Sequence, residues 1–136
     1  MSVVIYTDGG ARSNPGPAGA GIVIKDGEKI IAEVKKFLGE RQTNNWAEYE
    51  ALILALQEAK KRGLGKREIE VRMDSELIVR QMAGEYQVKE ETLWPQYMKV
   101  HNLLVANFPK YTFTHVRREE NKEADRLVNE AIDEAQ

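Results

Sequence analysis

The chain has no cysteine in its 136 residues, so disulfides and thiolate metal sites are both excluded. A reducing, cytoplasmic location is expected. No apolar run approaches the ~20 residues of a membrane span, so no membrane association is expected. Met1-Ser2 runs straight into a strand-like stretch, leaving no room for a signal peptide. Internal repeats, linkers and low-complexity segments are also lacking. Nor is positive charge in excess: 20 Lys and Arg stand against 22 Asp and Glu, a formal net charge of −2. That balance disfavours a tight nucleic-acid binder, because Lys and Arg neutralising phosphates supply most such affinity. Only segregated charges would offset it.

What is present fits a single globular domain over residues 1–136. A chain of that length buries on the order of two-thirds of the surface its unfolded form exposes. Val3 to Thr7 reads as a first strand and Ala20 to Lys25 as a second. Asp26-Gly27 marks a hairpin, and Ile30 to Leu38 reads as a third strand. The period then turns helical. Tyr49, Leu52, Ile53 and Leu56 predict a helix from the capping run Thr43-Asn44-Asn45 to about Gly63. A fourth strand, Ile69 to Met73, precedes a short helix from Glu76 to Met82. A helix from Leu93 to Asn107 follows, with Pro95 in its first turn. Tyr111 to Val116 is the fifth strand, and a last helix starts near Asn121. The order βββαβααβα predicts an α/β fold: a five-stranded mixed sheet, antiparallel then parallel, flanked by helices.

The stretch "YTDGGARSNPGPAGAGIVI", Tyr6 to Ile24, places one acid where a strand runs into five glycines. A dinucleotide fingerprint is excluded, since Gly19-Ala20-Gly21 opens a strand rather than a helix. A P-loop lacks its Gly-Lys-Ser/Thr, and a haloacid-dehalogenase-type phosphatase would need a second aspartate where Tyr6 stands. A plain turn and one corner of a metal site both remain.

Three further acids stand in comparable places. Glu48 lies in the first turns of the first long helix, beside its apolar face, where burial without a partner is costly. Asp74 stands at the end of the fourth strand and Asp125 in the first turn of the last helix. Each has a local explanation: Asp74 as a helix cap, Asp125 as a complement to a helix dipole. Alternatively the four converge on one sheet edge. Four converged carboxylates would repel unless cations bound them, and an all-oxygen set suits Mg²⁺ or Mn²⁺.

Tyr6-Thr7-Asp8-Gly9-Gly10 with Asn14-Pro15-Gly16, Thr43-Asn44-Asn45-Trp46-Ala47-Glu48, Asp74-Ser75, and His115 through Asn121 to Asp125 occur in that order. Together they resemble the type 1 ribonuclease H family over nearly the whole chain. The resemblance implies a ribonuclease H-like fold and an endonuclease that hydrolyses the RNA strand of an RNA/DNA hybrid. It implies two Mg²⁺ ions, for which Mn²⁺ could substitute, and products with 5′-phosphate and 3′-hydroxyl ends. Asp8 would bridge the ions, with Glu48 and Asp74 on one and Asp125 on the other. Gly10, Asn14, Asn44, Asn45 and Asn121 are implied as substrate contacts, Asn14 and Asn44 along the RNA minor groove. Arg41 and Thr43 match a pocket for a DNA-strand phosphate. The glycines would let backbone approach nucleic acid closely. His115 falls where the family has a mobile histidine beside the acids. The residue type changes charge near neutrality and can relay a proton. Its bland reading is a partly buried histidine packed with Phe113 and Tyr111.

One departure stands out. The basic, aromatic insertion of some family members is replaced by residues 84–91, short and net acidic. Lys35, Lys36, Arg117 and Arg118 are the remaining candidates for phosphate contacts. No obligate protein partner is implied, and a monomer is expected. Rival readings on the same fold are an inert hybrid-binding module and a DNA-processing enzyme of integrase or transposase type.

Overall fold

The computed structural model describes residues 2–136; Met1, read above as running straight into the first strand, lies outside them. Five strands form one sheet in the order β3-β2-β1-β4-β5. They are β1 (Val3–Ala11), β2 (Gly16–Asp26), β3 (Lys29–Gln42), β4 (Ile69–Met73) and β5 (Tyr111–His115). The first three pair antiparallel, and β1–β4 and β4–β5 pair parallel. The helices are α1 (Asn44–Lys61), α2 (Glu76–Met82), α3 (Trp94–Asn107) and α4 (Lys122–Ala135). The mixed sheet and the element order match the sequence reading.

Local chemistry sets the helix limits. The Thr43 hydroxyl accepts from the Trp46 amide and caps α1. Ser75, not Asp74, caps α2 by accepting from the Ile78 amide. That removes the cap explanation for Asp74. Pro95 sits in the first turn of α3, where its missing N–H loses nothing. No helix among the described residues is long and apolar enough to cross a membrane.

The first two strands run through the glycines, β1 on to Ala11 and β2 from Gly16, because those glycines carry no side chain to obstruct the helices. Positions paired across a ladder share a face. Asp8 pairs with Gly21 and Gly10 with Gly19, whereas Gly9 pairs with Ala20. A side chain on Gly9 would run into the Ala47 carbonyl of α1; one on Gly21 would run into the Ala124 carbonyl of α4. So α1 and α4 lie on opposite faces, and both press backbone onto the central strands. The glycine-rich stretch is therefore mostly strand, kept smooth so that helices can approach. Gly21→Ala is expected to cost about 3 kcal/mol or more, since backbone must move to admit the methyl. Denaturant unfolding of the variant would measure it. The main core lies between the sheet and α1 with α3, built on Ile5, Tyr49, Leu52, Leu56, Met73 and Leu104.

Candidate active site

The β1–β4 ladder ends at Tyr6 and Arg72, while β1 continues to Ala11. Beyond that point one flank of β1 has no strand beside it. A strand cannot leave buried donors and acceptors there unpaired. Two side chains take them. The Asn121 amide donates to the Thr7 carbonyl at 3.0 Å. The Gly9 amide donates to Glu48 Oε1 at 2.6 Å. The sheet thus splits beside Asp8, and the split lets Glu48 reach across from the α1 side.

Asp8, Glu48 and Asp74 each bring a carboxylate oxygen within 4.8 Å of the others. Asp8 and Glu48 are buried, and Asp74 is half-buried. Burial pushes the Asp8 carboxyl far above the usual carboxylate range, and the charges of Glu48, Asp74 and Asp125 push it further. Glu48 is raised first by burial and then by Asp74; the Gly9 amide works in the other direction. Asp74 is raised by burial, with the Arg118 guanidinium opposing. Asp125 lies outside the tight trio but lines the same groove as Asp8, near enough for its charge to raise the Asp8 carboxyl. The four sequence-singled acids therefore converge with Asp8 at the centre. Among the described residues no ion pair reaches Asp8 or Glu48, whereas Arg118 lies 3.7 Å from Asp125. An all-oxygen set this crowded fits hard divalent cations.

The acids floor an open groove of about 770 Å³. Gly10, Asn44, Asn45 and His115 line it. Asn14 and Asn44 form a clasp on one rim. The Asn44 amide N–H donates to Asn14 Oδ1 at 3.0 Å, and the Ala11 amide donates to Asn44 Oδ1 at 2.8 Å. Both side-chain oxygens are thus turned to the protein, leaving each Nδ2 as a donor for something else. Thr43 and Arg41 are exposed at the junction of β3 and α1, outside the groove lining. His115 is exposed, not packed: it ends β5 in register with Met73, one residue before Asp74. The packing expected of it with Phe113 and Tyr111 is instead made by those two rings with each other.

Three expectations change. Asn121 is 1% exposed and ties the start of α4 to β1, so it supports the site from behind rather than touching a ligand. Lys35 is held by Glu130 and Glu134 on the far flank of α4, away from the groove. The glycines at 9 and 21 accommodate helices rather than nucleic acid; Gly10 alone of the three faces open space, with Val128 at 4.0 Å its nearest neighbour. Sequence reasoning also missed Arg12, which lines the groove together with Arg117 and Arg118. Its one signal in the sequence is a basic residue beside the Asn14 loop.

Residues 6–131 match the family model described as Reverse transcriptase-like. The chain is 42% identical to the Ribonuclease HI of Halobacterium salinarum, over 96% of this chain and 64% of that protein. It is 45% identical to a bifunctional protein of Mycobacterium tuberculosis, over 99% of this chain and 36% of that protein. It therefore spans roughly a third to two-thirds of the length of these curated relatives. Among solved structures, it superposes on LC11-RNase H1, isolated from compost and solved in complex with an RNA/DNA hybrid. That match has a TM-score of 0.94 and 51% identity, over 98% of this chain and 99% of that one. With the fold, the four converged acids and a family match over nearly the whole sequence, the chain belongs to the type 1 ribonuclease H family.

Proposed function

We propose that the chain is an endoribonuclease that hydrolyses the RNA strand of RNA/DNA hybrids. The observation that carries this is the convergence of Asp8, Glu48, Asp74 and Asp125 below the Asn14–Asn44 rim. Relatives named ribonuclease H, and a solved neighbour holding an RNA/DNA hybrid, support the same reading.

In this reading Asp8, Glu48, Asp74 and Asp125 are the residues that would hold divalent ions, the first three as one close group. Mg²⁺ is the first expectation, and Mn²⁺ can substitute. Two such ions, when bound, would supply Lewis acidity to an attacking water and charge neutralisation to a departing 3′ oxygen. The protein's own part is positional. The Gly9 N–H fixes Glu48, and Asn121 holds the strand that carries Asp8. The free Nδ2 groups of Asn14 and Asn44 donate to RNA 2′-hydroxyls, a group DNA lacks. Gly10 and Asn45 line the path of the strand. Arg41 and Thr43 hold a phosphate of the DNA strand at the α1 N-terminus, where the capped helix favours an anion. His115 hands a proton to or from the reacting phosphate.

The test is incubation with end-labelled hybrid in Mg²⁺, in Mn²⁺ and in EDTA. Internal cuts in either metal, none in EDTA, and products bearing 5′-phosphate and 3′-hydroxyl ends are expected. Equal cutting in EDTA, or 2′,3′-cyclic ends, would overturn the reading.

A further inference from the structure

Most arginines of the fold are engaged away from the groove. Arg62 pairs with Glu58 and Arg80 with Glu76, each one helical turn along. Arg12 is different. It stands just past β1, lines the groove, and keeps 43% of its side chain exposed. Its guanidinium meets Asp133 at 2.7 Å and Asn129 Oδ1 at 3.2 Å. Asp125, Asn129 and Asp133 are spaced by four residues along α4, so they form one ridge. Asp133 is two turns from Asp125, roughly 12 Å along the helix. Arg12 is four residues from Asp8 along an extended chain, roughly 13 Å. Two independent routes thus set this cation a similar distance from the acids. That is a few nucleotides along a strand laid in the groove, given roughly 3.4 Å of axis per phosphate.

A guanidinium is suited to grip a carboxylate and a phosphate with the same two-pronged geometry. Asp133 is 65% exposed, and a pair so exposed is weak. An incoming phosphate can therefore take its place. Resting on the hybrid reading above, we propose that Arg12 is a phosphate-binding residue of the groove, that Asp133 occupies it in the free protein, and that the nucleic-acid backbone displaces Asp133. This supplies part of the grip that the acidic residues 84–91 do not.

The two partners then have opposite effects, which a purely structural ion pair cannot produce. Binding of a fluorescent hybrid in Mg²⁺ would be measured on an Asp74→Asn background, which prevents turnover. Arg12→Ala is expected to weaken binding roughly 2- to 5-fold, the range of an exposed ion pair, and to flatten the log–log salt slope by about 1. Asp133→Asn is expected to tighten binding by a similar factor. Arg12→Lys should retain the salt slope. Thermal unfolding of each variant checks that α4 remains docked. If both changes weaken binding, or neither changes it, Arg12 only clamps α4 and the proposal fails. If the background protein binds duplex DNA as well as hybrid, and the opposite shifts persist, the hybrid reading fails while the role of Arg12 stands. No binding to either duplex removes both.

Discussion

Asp8→Asn and Asp74→Asn are each expected to cut hybrid at least about 10²-fold more slowly than the native chain, as for loss of a major electrostatic element. Neither should unfold. Asparagine keeps the volume of aspartate, and the α2 cap belongs to Ser75 rather than to Asp74. Asp8→Asn should in fact be more stable than the native chain when no metal is added. Burial and three neighbouring carboxylates hold the Asp8 carboxyl far above its ordinary value of 3.8. A group raised in the folded state contributes stability below its unfolded pKa and loses it as pH rises towards the folded one. The native chain therefore loses stability above about pH 4, and the variant escapes that loss. Thermal unfolding in EDTA at pH 4 and pH 8 would read it: near-equal midpoints at the lower pH, a higher midpoint for Asp8→Asn at the upper. Adding Mg²⁺ should raise the native midpoint by mass action and raise the variant's much less. A variant that cut normally would make the cluster an accident of packing.

His115→Ala should lower kcat by roughly 10- to 10⁴-fold, spanning an aid to product release and a full general acid–base role. KM should change little. The structure separates this role from packing more cleanly than the sequence does. His115 is exposed at the end of β5 and lines the groove, and its side chain makes no hydrogen bond to a described residue. An exposed side chain of that kind contributes within about 0.5 kcal/mol of nothing to stability. Steady-state kinetics beside denaturant unfolding would give both numbers. Unchanged kcat would remove His115 from the mechanism, and a loss of several kcal/mol would return it to the core.

Much of this was legible because the informative signals are local. The capping hydroxyls of Thr43 and Ser75 fix where α1 and α2 begin, and each acts within three residues of itself. The four acids could be singled out because each follows an apolar strand run or opens a helix in the sequence, although β1 in fact continues past Asp8 to Ala11. What was not legible depends on contacts distant in sequence. Gly9, Gly19 and Gly21 look like loop residues because their purpose, admitting α1 and α4, lies 38 to more than 100 residues away. Asn121 looks like a ligand-binding residue because the open flank of β1 that it closes exists only once β4 has ended. Arg12 looks like an ordinary loop cation until α4 brings Asp133 against it. Lys35 errs in the opposite direction, since nothing nearby in the chain indicates that Glu130 and Glu134 will claim it.

The acids and the Asn14–Asn44 rim make one joint claim: the carboxylates cut, and the rim recognises ribose. Both halves are read at once by cleavage of four duplexes of one sequence that differ only in sugar. These are RNA/DNA hybrid, duplex RNA, duplex DNA, and a hybrid whose RNA strand is replaced by 2′-O-methyl RNA. Each would be labelled on either strand and incubated with the protein in Mg²⁺. Cleavage of the RNA strand of the unmodified hybrid, with its DNA strand, the 2′-O-methyl strand and duplex DNA left intact, is the expected result. Cleavage of duplex DNA at a comparable rate would contradict it, as would equal cutting of the 2′-O-methyl strand.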